Sequence, residues 1–309
     1  MDNGQRLGIL YCPKHEDLKK NKRWARIEKY LTDRGVAFDF IQSESASGVE
    51  RLVRMMVNNG YTTIVIVGGD SALNDAVNCL MNFEARVRNG ITIGIIPNGT
   101  MNDFSHFWGL KENEVPQAID AIIKHRVRKI DVGCVKYSNH KNETCRTYFL
   151  NCINMGFIAS VMNLRRQTRH FLGSRMLSFL FSFILMIFKR KEYKMRLNIN
   201  TDVVERNIMT VCVGNASGFG QTPNAVPYNG MLDVSVVCHS GITQLFQGIY
   251  LFLKGKLLNH KNVHSYRTQK VDVEQAEKMP VGVDGRLIEG PNGAFSITVE
   301  QEVINFIIP

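Results

Sequence analysis

Short apolar runs alternate with amphipathic segments along the first 125 residues. Runs such as 64–67 (IVIV) and 91–96 (ITIGII) contain no polar side chain except Thr92, which is typical of strands buried on both faces. The segments between the runs repeat apolar residues at helical spacing. This alternation predicts an α/β fold, in which helices cover a parallel sheet. The predicted strands are 7–12, 37–42, 64–67 and 91–96, and the predicted helices are 20–34, 48–59 and 71–83.

From about residue 129 the pattern changes, because strand-like runs follow one another with only two helical stretches between them. It predicts a mainly antiparallel β domain. We therefore expect a nucleotide-binding α/β domain at 1–130 and a lipid-binding β-sandwich domain at 131–309, whose C-terminal end packs back on the first, with a cleft between them as the ligand site. The predicted strands are 129–137, 147–154, 193–200, 208–215, 231–238, 271–274, 279–283 and 294–300, and the helical stretches are 160–188 and 242–258.

The composition limits the kinds of molecule that the protein is expected to bind. Lys and Arg number 38 against 28 Asp and Glu, a formal charge of +10 that would attract nucleotides, nucleic acid or an anionic membrane. Aromatic residues are not interleaved with Lys and Arg on the predicted strands, so we expect no nucleic-acid partner. The 7 Cys are scattered without CxxC spacing, which favours a reduced cytoplasm and argues against structural zinc.

Two glycine-bearing turns follow neighbouring apolar strands. Gly68, Gly69 and Asp70 come directly after the run at 64–67, and the segment 97–104 (PNGTMNDF) follows the run at 91–96. Glycines let a backbone approach a ligand closely, and a helix N-terminus after them attracts phosphate. A tight turn in which Asp70 caps the helix is the alternative for the first segment alone. Because both turns leave the same edge of the sheet, we expect them to converge on a phosphate.

These segments resemble a known family. GGDSALND at 68–75 is similar to GGDGTxNE, and PNGTMNDFS at 97–105 is similar to PxGTxNDFA, in the diacylglycerol kinase catalytic-domain family, which includes bacterial lipid kinases and sphingosine kinases and is distantly related to NAD kinases. The segments 149–157 (FLNCINMGF), 213–230 and 283–285 (VDG) resemble later motifs of the family in the same order. The similarity extends over nearly the whole chain.

The resemblance implies a fold, a reaction and site residues. It implies an NAD kinase-like α/β domain, a C-terminal β-sandwich, and phosphorylation of a lipid hydroxyl with ATP and Mg²⁺. Asp284 and Asp70 are the candidate catalytic residues. The implied nucleotide-binding residues are Gly68, Gly69, Asp70, Ser71, Asn74, Gly99 and Thr100, with Asn102 and Asp103 supporting the phosphates or a metal.

Two departures from the family pattern lie in the first domain. The first strand runs into Tyr11-Cys12-Pro13-Lys14-His15-Glu16 without the family's phosphate-loop glycine, so that Lys14 or His15 would have to supply charge instead. Ser71 stands where the family has Gly. If that position requires a positive φ, serine is strained there by roughly 1 kcal/mol and obstructs a phosphate.

Two further departures lie in the second domain. Asn229 replaces an aspartate that holds a structural Mg²⁺ in the family, and a neutral amide is a poorer ligand for that ion. Arg286 replaces the glutamate of Asp-Gly-Glu. A guanidinium cannot act as a base near neutral pH, so Asp284 or Asp70 would have to act alone.

A basic and apolar segment completes the picture. Residues 165–191 combine cations at both ends with a run rich in Phe, Leu and Met that is too short to span a bilayer. The segment fits a helix in the membrane interface, or a helix packed on the β domain. The candidate lipid contacts are Arg165, Arg166, Arg169 and Arg175.

Two functions remain open on the sequence. The first is an ATP-dependent lipid kinase, cytoplasmic and peripheral to the inner face of the membrane, acting on a lipid substrate at the membrane surface. The second, motivated by the four departures, is a degenerate family member that binds nucleotide or lipid as a sensor or scaffold. A homodimer is left open.

Overall fold

The chain forms two compact units in a computed structural model. One comprises Met1–Val132 with Gln301–Pro309, and the other comprises Gly133–Glu300. The residues that the structure describes are 7–13, 22–44, 48–99, 101–172, 192–217, 222–238, 241, 244, 247–248, 250–251, 254, 256–276, 279–291 and 293–309.

The elements follow the chain in this order: β1 (Leu7–Tyr11), α1 (Lys22–Asp33), β2 (Asp39–Gln42), α2 (Val49–Asn58), β3 (Thr63–Gly68), α3 (Asp70–Met81), α4 (Ala85–Arg88), β4 (Thr92–Pro97), α5 (Asp103–Phe107), α6 (Val115–Lys124), β5 (Arg126–Ser138), β6 (Thr144–Phe149), β7 (Cys152–Gly156), α7 (Phe157–Leu172), β8 (Tyr193–Ile199), β9 (Asp202–Gly214), β10 (Leu232–Cys238), β11 (Val263–Thr268), β12 (Lys270–Ala276), β13 (Val281–Val283), β14 (Arg286–Leu287) and β15 (Phe295–Ile308).

The first unit is built on a parallel sheet. Its strand order is β2-β1-β3-β4-β15, and every residue of β1, β3 and β4 is buried. The helices cover the sheet with apolar faces. On α2, for example, Leu52, Val53, Met56 and Val57 are buried at helical spacing, and burying such a side chain contributes roughly 1.5–3 kcal/mol. The α/β fold predicted for this part of the chain is confirmed.

The second unit is mainly antiparallel. The strands β14-β13-β7-β9-β8-β12-β15 follow one another, β10 pairs with β9 and β11, and β5 pairs with β6. Alternation along β8 shows how the core forms, since Met195 and Leu197 are buried while Lys194 and Arg196 are exposed. The antiparallel β structure predicted after residue 129 is also confirmed.

The strand β15 pairs with a strand of each unit. Its first half pairs with β12, while Asn305 and Phe306 in its second half pair in parallel with β4. Glu302 between the halves has a φ of 50°, and its N–H donates to the buried carboxylate of Asp131 at 2.8 Å. This hydrogen bond holds the bend in the strand.

Several elements differ from the prediction. The run 147–154 forms two strands, β6 and β7, and the turn between them is held by Asp284, as described below. The helices α5 and α6, together with β11, were not among the predicted elements. Of the helical stretch 160–188, residues up to Leu172 belong to α7 and the rest lie outside the described residues, as does much of 242–258.

Among the described residues, no helix is long and apolar enough to cross a membrane. Arg165, Arg166 and Arg169 belong to α7, and Arg175 lies outside the described residues.

Candidate functional site

The two glycine turns touch each other. Gly68 at the end of β3 lies opposite Pro97 at the end of β4, and the Asn98 N–H donates to the Gly68 carbonyl at 2.7 Å. A Cβ added to Gly69 would lie 2.8 Å from the Cα of Gly99, and one added to Gly99 would lie 2.6 Å from the Cα of Gly69. Only glycine permits this approach at either position, so the predicted convergence of the two turns is observed.

Asn102 shapes the second turn from within. Its backbone is left-handed, with a φ of 54° and a ψ of 38°, a conformation that Asn adopts more readily than most residues. Its Oδ1 accepts the Gly99 N–H at 2.8 Å, and its Nδ2 donates to the Gly99 carbonyl at 3.1 Å. The buried Asn102 amide therefore fixes the loop backbone. Thr100, inside the same loop, lies outside the described residues.

Asp70 joins the two turns. It is the first residue of α3, yet its carboxylate caps a different helix, α5. Its Oδ2 accepts the Asp103 N–H at 2.8 Å, and its Oδ1 accepts the Phe104 N–H at 3.2 Å. Asn102, the residue before α5, makes no side-chain cap of its own. The capping role considered for Asp70 is real, but the helix it caps belongs to the opposite loop. Such caps contribute roughly 0.5–2 kcal/mol.

Asp103 is a second carboxyl group beside the first. Burial, together with the negative charge of Asp70, raises the pKa of Asp103 to about 6, and the nearby His106 opposes part of this rise. The group therefore titrates close to neutral pH. Two neighbouring carboxyl groups at the joined turns are hard oxygen donors of the kind that a phosphate-bound Mg²⁺ prefers.

The structure contradicts the expected strain at Ser71. This residue lies in the first turn of α3, exposed, and it is not among the residues with a positive φ. The backbone at Ser71 is therefore unstrained, and obstruction of a phosphate by its side chain stays a prediction. Asn74, one turn later, is buried and accepts hydrogen bonds from Asn78 through its carbonyl at 2.9 Å and its Oδ1 at 3.2 Å.

Arg23 ties α1 to the second turn and was not among the predicted site residues. Its Nη2 donates to the carbonyl oxygen of Pro97 and, at 2.8 Å, to that of Glu112. These partners lie 74 and 89 residues away along the chain, so no local pattern could have revealed the contact. The other departure in this unit, at Lys14 and His15, lies outside the described residues.

Asp284 occupies a strained turn of the second unit. Its φ is 42°, and its carboxylate accepts three backbone N–H groups, from Leu150 at 2.8 Å, Asn151 at 3.0 Å and Cys152 at 2.9 Å. These bonds hold the turn between β6 and β7. Arg286 is exposed on the short strand β14. Asp284 thus has a positioning role that the sequence pattern did not indicate, and its catalytic role stays a prediction.

The loop around Asn229 offers little to a divalent cation. The Oδ1 of Asn229 accepts the Met231 N–H at 3.0 Å, and the Oδ1 of Asp233 accepts the Nε–H of Arg267 at 2.8 Å. The other oxygen of Asp233 is buried without a hydrogen-bond partner. One anionic oxygen next to a guanidinium fits Mg²⁺ poorly. Nowhere in the described ranges do three His, Cys, Asp or Glu residues cluster as metal ligands would.

Comparisons with known proteins agree with this architecture. Residues 6–135 match the diacylglycerol kinase catalytic domain, and residues 151–304 match the YegS C-terminal NAD kinase β-sandwich-like domain. A diacylglycerol kinase of Bacillus subtilis is 24% identical over 286 residues, which cover 91% of this chain and 89% of that protein. A diacylglycerol kinase of Staphylococcus carnosus is 25% identical over 230 residues, covering 73% and 70%.

Two solved structures share the fold. A crystal structure of a diacylglycerol kinase from Bacillus anthracis has a TM-score of 0.69 at 19% identity, covering 99% of this chain and 97% of that one. Yeast NADH kinase in complex with NADH has a TM-score of 0.56 at 10% identity, covering 99% and 83%. The fold is NAD kinase-like, with an α/β domain followed by a β-sandwich. The chain belongs to the diacylglycerol kinase catalytic-domain family, among the lipid kinases of the YegS type.

Proposed function

We propose that this protein is an ATP-dependent kinase that phosphorylates a hydroxyl of diacylglycerol or a related lipid at the membrane surface. The observation that carries the proposal is the pair of touching glycine turns, joined by Asp70. Their contact places the N-terminus of α3, which has no side-chain cap, beside a second loop of backbone and carboxyl groups. Uncapped helix N-termini attract phosphate, and the adjoining carboxylates suit the metal that accompanies a triphosphate.

The proposed reaction is a phosphoryl transfer. The oxygen of the lipid hydroxyl forms a bond to the γ-phosphorus of ATP, the bond from that phosphorus to the β,γ-bridging oxygen breaks, and ADP leaves. Asp70 and Asp103 would hold a Mg²⁺, which would neutralise phosphate charge. The hydroxyl proton passes to a carboxylate, for which Asp284 and Asp70 are the candidates, and then to solvent. Because both oxygens of Asp70 already accept backbone N–H groups, the carboxylate is held in one orientation before substrate binds.

A lipid substrate requires contact with a bilayer. We propose that the basic and apolar segment 165–191 binds the membrane, with Arg165, Arg166 and Arg169 as the candidate contacts to anionic head groups. The formal charge of +10 favours the same surface.

The second candidate is a family member that binds nucleotide or lipid without turnover. Arg286 in place of a family glutamate and the poor cation loop at Asn229 favour it. The finding that Ser71 has no positive φ weakens it, because backbone strain at one of its four motivating departures is absent, while obstruction of a phosphate by the Ser71 side chain stays a prediction.

Transfer of labelled phosphate from ATP to diacylglycerol in mixed micelles, with Mg²⁺, tests the proposal. We expect incorporation by the wild type and a loss of about 100-fold or more in Asp70→Ala, because that variant loses both the tie between the turns and a candidate base. Asp120→Asn is the matched control, since it also removes one carboxylate from the first unit but lies on α6, where it pairs with Arg34.

Calorimetry with ATP separates the two candidates. Nucleotide binding without transfer to any lipid would establish the sensor. The absence of nucleotide binding by the wild type would overturn the kinase and the nucleotide-binding form of the second candidate, leaving only its lipid-binding form. Equal losses of transfer in Asp120→Asn and Asp70→Ala would show that the assay reports charge or folding and not the glycine turns.

A further inference from the structure

An open cavity of about 380 Å³ lies in the first unit, bounded by Arg23, His106, Lys111, Glu112 and Asn113. Its volume is near the lower end of the roughly 300–1,000 Å³ of small-molecule sites. It is too large for a bare ion and suits a phosphate group with a small substituent. No residue of this cavity belongs to the family motifs described above.

Arg23 is a rigid cation at this cavity. Its side chain is 21% exposed, and its Nη2 is held by the carbonyl oxygens of Pro97 and Glu112. Its Nε is buried and has no hydrogen-bond partner. A ligand in the cavity does not reach that buried atom, but the partly exposed Arg23 side chain lines the cavity and can contact a ligand oxygen there.

The other residues that line the cavity determine which ligand charge it favours. Lys111 and His106 add nitrogen donors, and the Asn113 amide adds another. The opposing group is Glu112, whose Oε1 is 3.7 Å from the Nη1 of Arg23, longer than a hydrogen bond. Lys111 also has an exposed partner, Glu114, at 3.2 Å. Because the Glu112 carboxylate lies beyond hydrogen-bonding distance from the Nη1 of Arg23, an anion with several oxygens can compete with it for the guanidinium.

We infer that this cavity is a binding site for a phosphomonoester. A phosphomonoester carries about −1.5 to −2 charge and three acceptor oxygens, which match the donors of Arg23, His106 and Lys111, and the planar guanidinium binds such oxygens in pairs. The remaining volume accommodates a glycerol-sized group. The ligand is a phosphorylated head group of a lipid or a free phosphomonoester of the same chemistry. The inference is independent of the proposed kinase activity.

Calorimetry on the full chain with glycerol 3-phosphate tests the site. We expect saturable binding, a weakening of about threefold to tenfold in Lys111→Gln, and a several-fold strengthening in Glu112→Gln, because that change removes the competing carboxylate. Arg34→Gln is the matched control, since it removes a cation of α1 whose partner is Asp120 and which does not line the cavity.

Arg23→Gln should abolish binding, but Arg23 also ties α1 to the second turn, so the exposed Lys111 and Glu112 variants decide the question if that protein unfolds. Absence of binding by the wild type would overturn the inference. Equal weakening in Lys111→Gln and Arg34→Gln, or weaker binding in Glu112→Gln, would also overturn it.

Vesicles distinguish the two sources of the ligand. Phosphatidic acid carries a phosphomonoester, whereas phosphatidylglycerol is a phosphodiester. Sedimentation of the wild type is compared between phosphatidic acid vesicles and phosphatidylglycerol vesicles of equal surface charge. If the wild type prefers phosphatidic acid and Lys111→Gln loses this preference, the site belongs to a lipid head group. Glycerol 3-phosphate binding without that preference would assign it to a soluble phosphomonoester. Because neither assay contains ATP, both outcomes are separate from the success or failure of phosphoryl transfer.

Discussion

Asp70 in the first unit and Asp284 in the second present the same sequence signal and differ in surroundings. Each is an acidic residue at a glycine-containing turn, and each accepts N–H groups from a distant segment. Asp70 accepts two and stands beside Asp103, a second carboxyl group that titrates near neutral pH. Asp284 accepts three and lies in a strained turn. The turn at Asp70 is thus built to concentrate negative charge, whereas the turn at Asp284 disperses it over backbone donors.

Among the variants that test this comparison, we expect the largest effect from Asp284→Ala. Removing the carboxylate leaves three N–H donors without their acceptor and should lower the free energy of unfolding by roughly 3–5 kcal/mol. Urea denaturation measures it. Asp284→Asn, which keeps an acceptor oxygen, should lose about half as much. If Asp284→Ala unfolds like the wild type while phosphoryl transfer disappears, the residue is catalytic and its hydrogen bonds are not important for stability.

Asp103→Asn probes the charge at the other turn. Because the folded state raises the pKa of Asp103 from its ordinary value of 3.8 to about 6, deprotonation opposes folding. The wild type should therefore lose stability relative to Asp103→Asn as the pH rises from about 4 to 6, by up to about 3 kcal/mol above pH 6, and the two proteins should converge below pH 4. Unfolding free energies at pH 3.5 and pH 7.5 measure this. A difference that does not change with pH would contradict it.

Gly99→Ala tests the contact between the turns. The new Cβ would lie 2.5 Å from Asn102 Oδ1 and 2.6 Å from the Cα of Gly69, so one loop must move. We expect a loss of roughly 1–3 kcal/mol in stability and weaker ATP binding. Gly109→Ala is a poor control because Gly109 has a φ of 74°, whereas Gly241→Ala meets nothing within 4 Å and has no such φ. Equal effects at positions 99 and 241 would show that the close contact is unimportant.

Ser71→Gly should have the smallest effect. Since Ser71 is helical, glycine there should destabilise α3 by less than about 1 kcal/mol. Thermal unfolding and ATP titration measure the outcome. A stabilised variant with tighter ATP binding would restore the idea that serine is strained at this turn.

Fully apolar strands were the most predictable part of the fold. The run 64–67 was predicted to within one residue at each end of β3, because burial on both faces leaves no polar position. The helix α5 was not predicted, since it has five residues and its cap, Asp70, lies 33 residues away from Asp103. The turn that divides 147–154 was missed for the same reason, because its partner Asp284 is more than 130 residues distant.

The candidate site, like the fold, has parts that the sequence predicts and parts that it does not. The convergence of the glycine turns follows from strand order, which local patterns indicate. The strain considered at Ser71 required a positive φ, which is absent because Ser71 lies in the first turn of α3, where the backbone is helical. The cavity at Arg23 depends on contacts between α1 and two loops, for which neither spacing nor composition provides a signal.

The shared strand β15 has a consequence for biosynthesis. Asn305 and Phe306 lie alongside β4, so the nascent chain cannot finish the parallel sheet until translation has passed these positions, although most of that sheet emerges from the ribosome far earlier. Residues 1–132 are therefore synthesised first, and the edge of β4 stays unpaired while the antiparallel strands are translated. Premature termination before residue 301 would therefore damage the unit that was synthesised first.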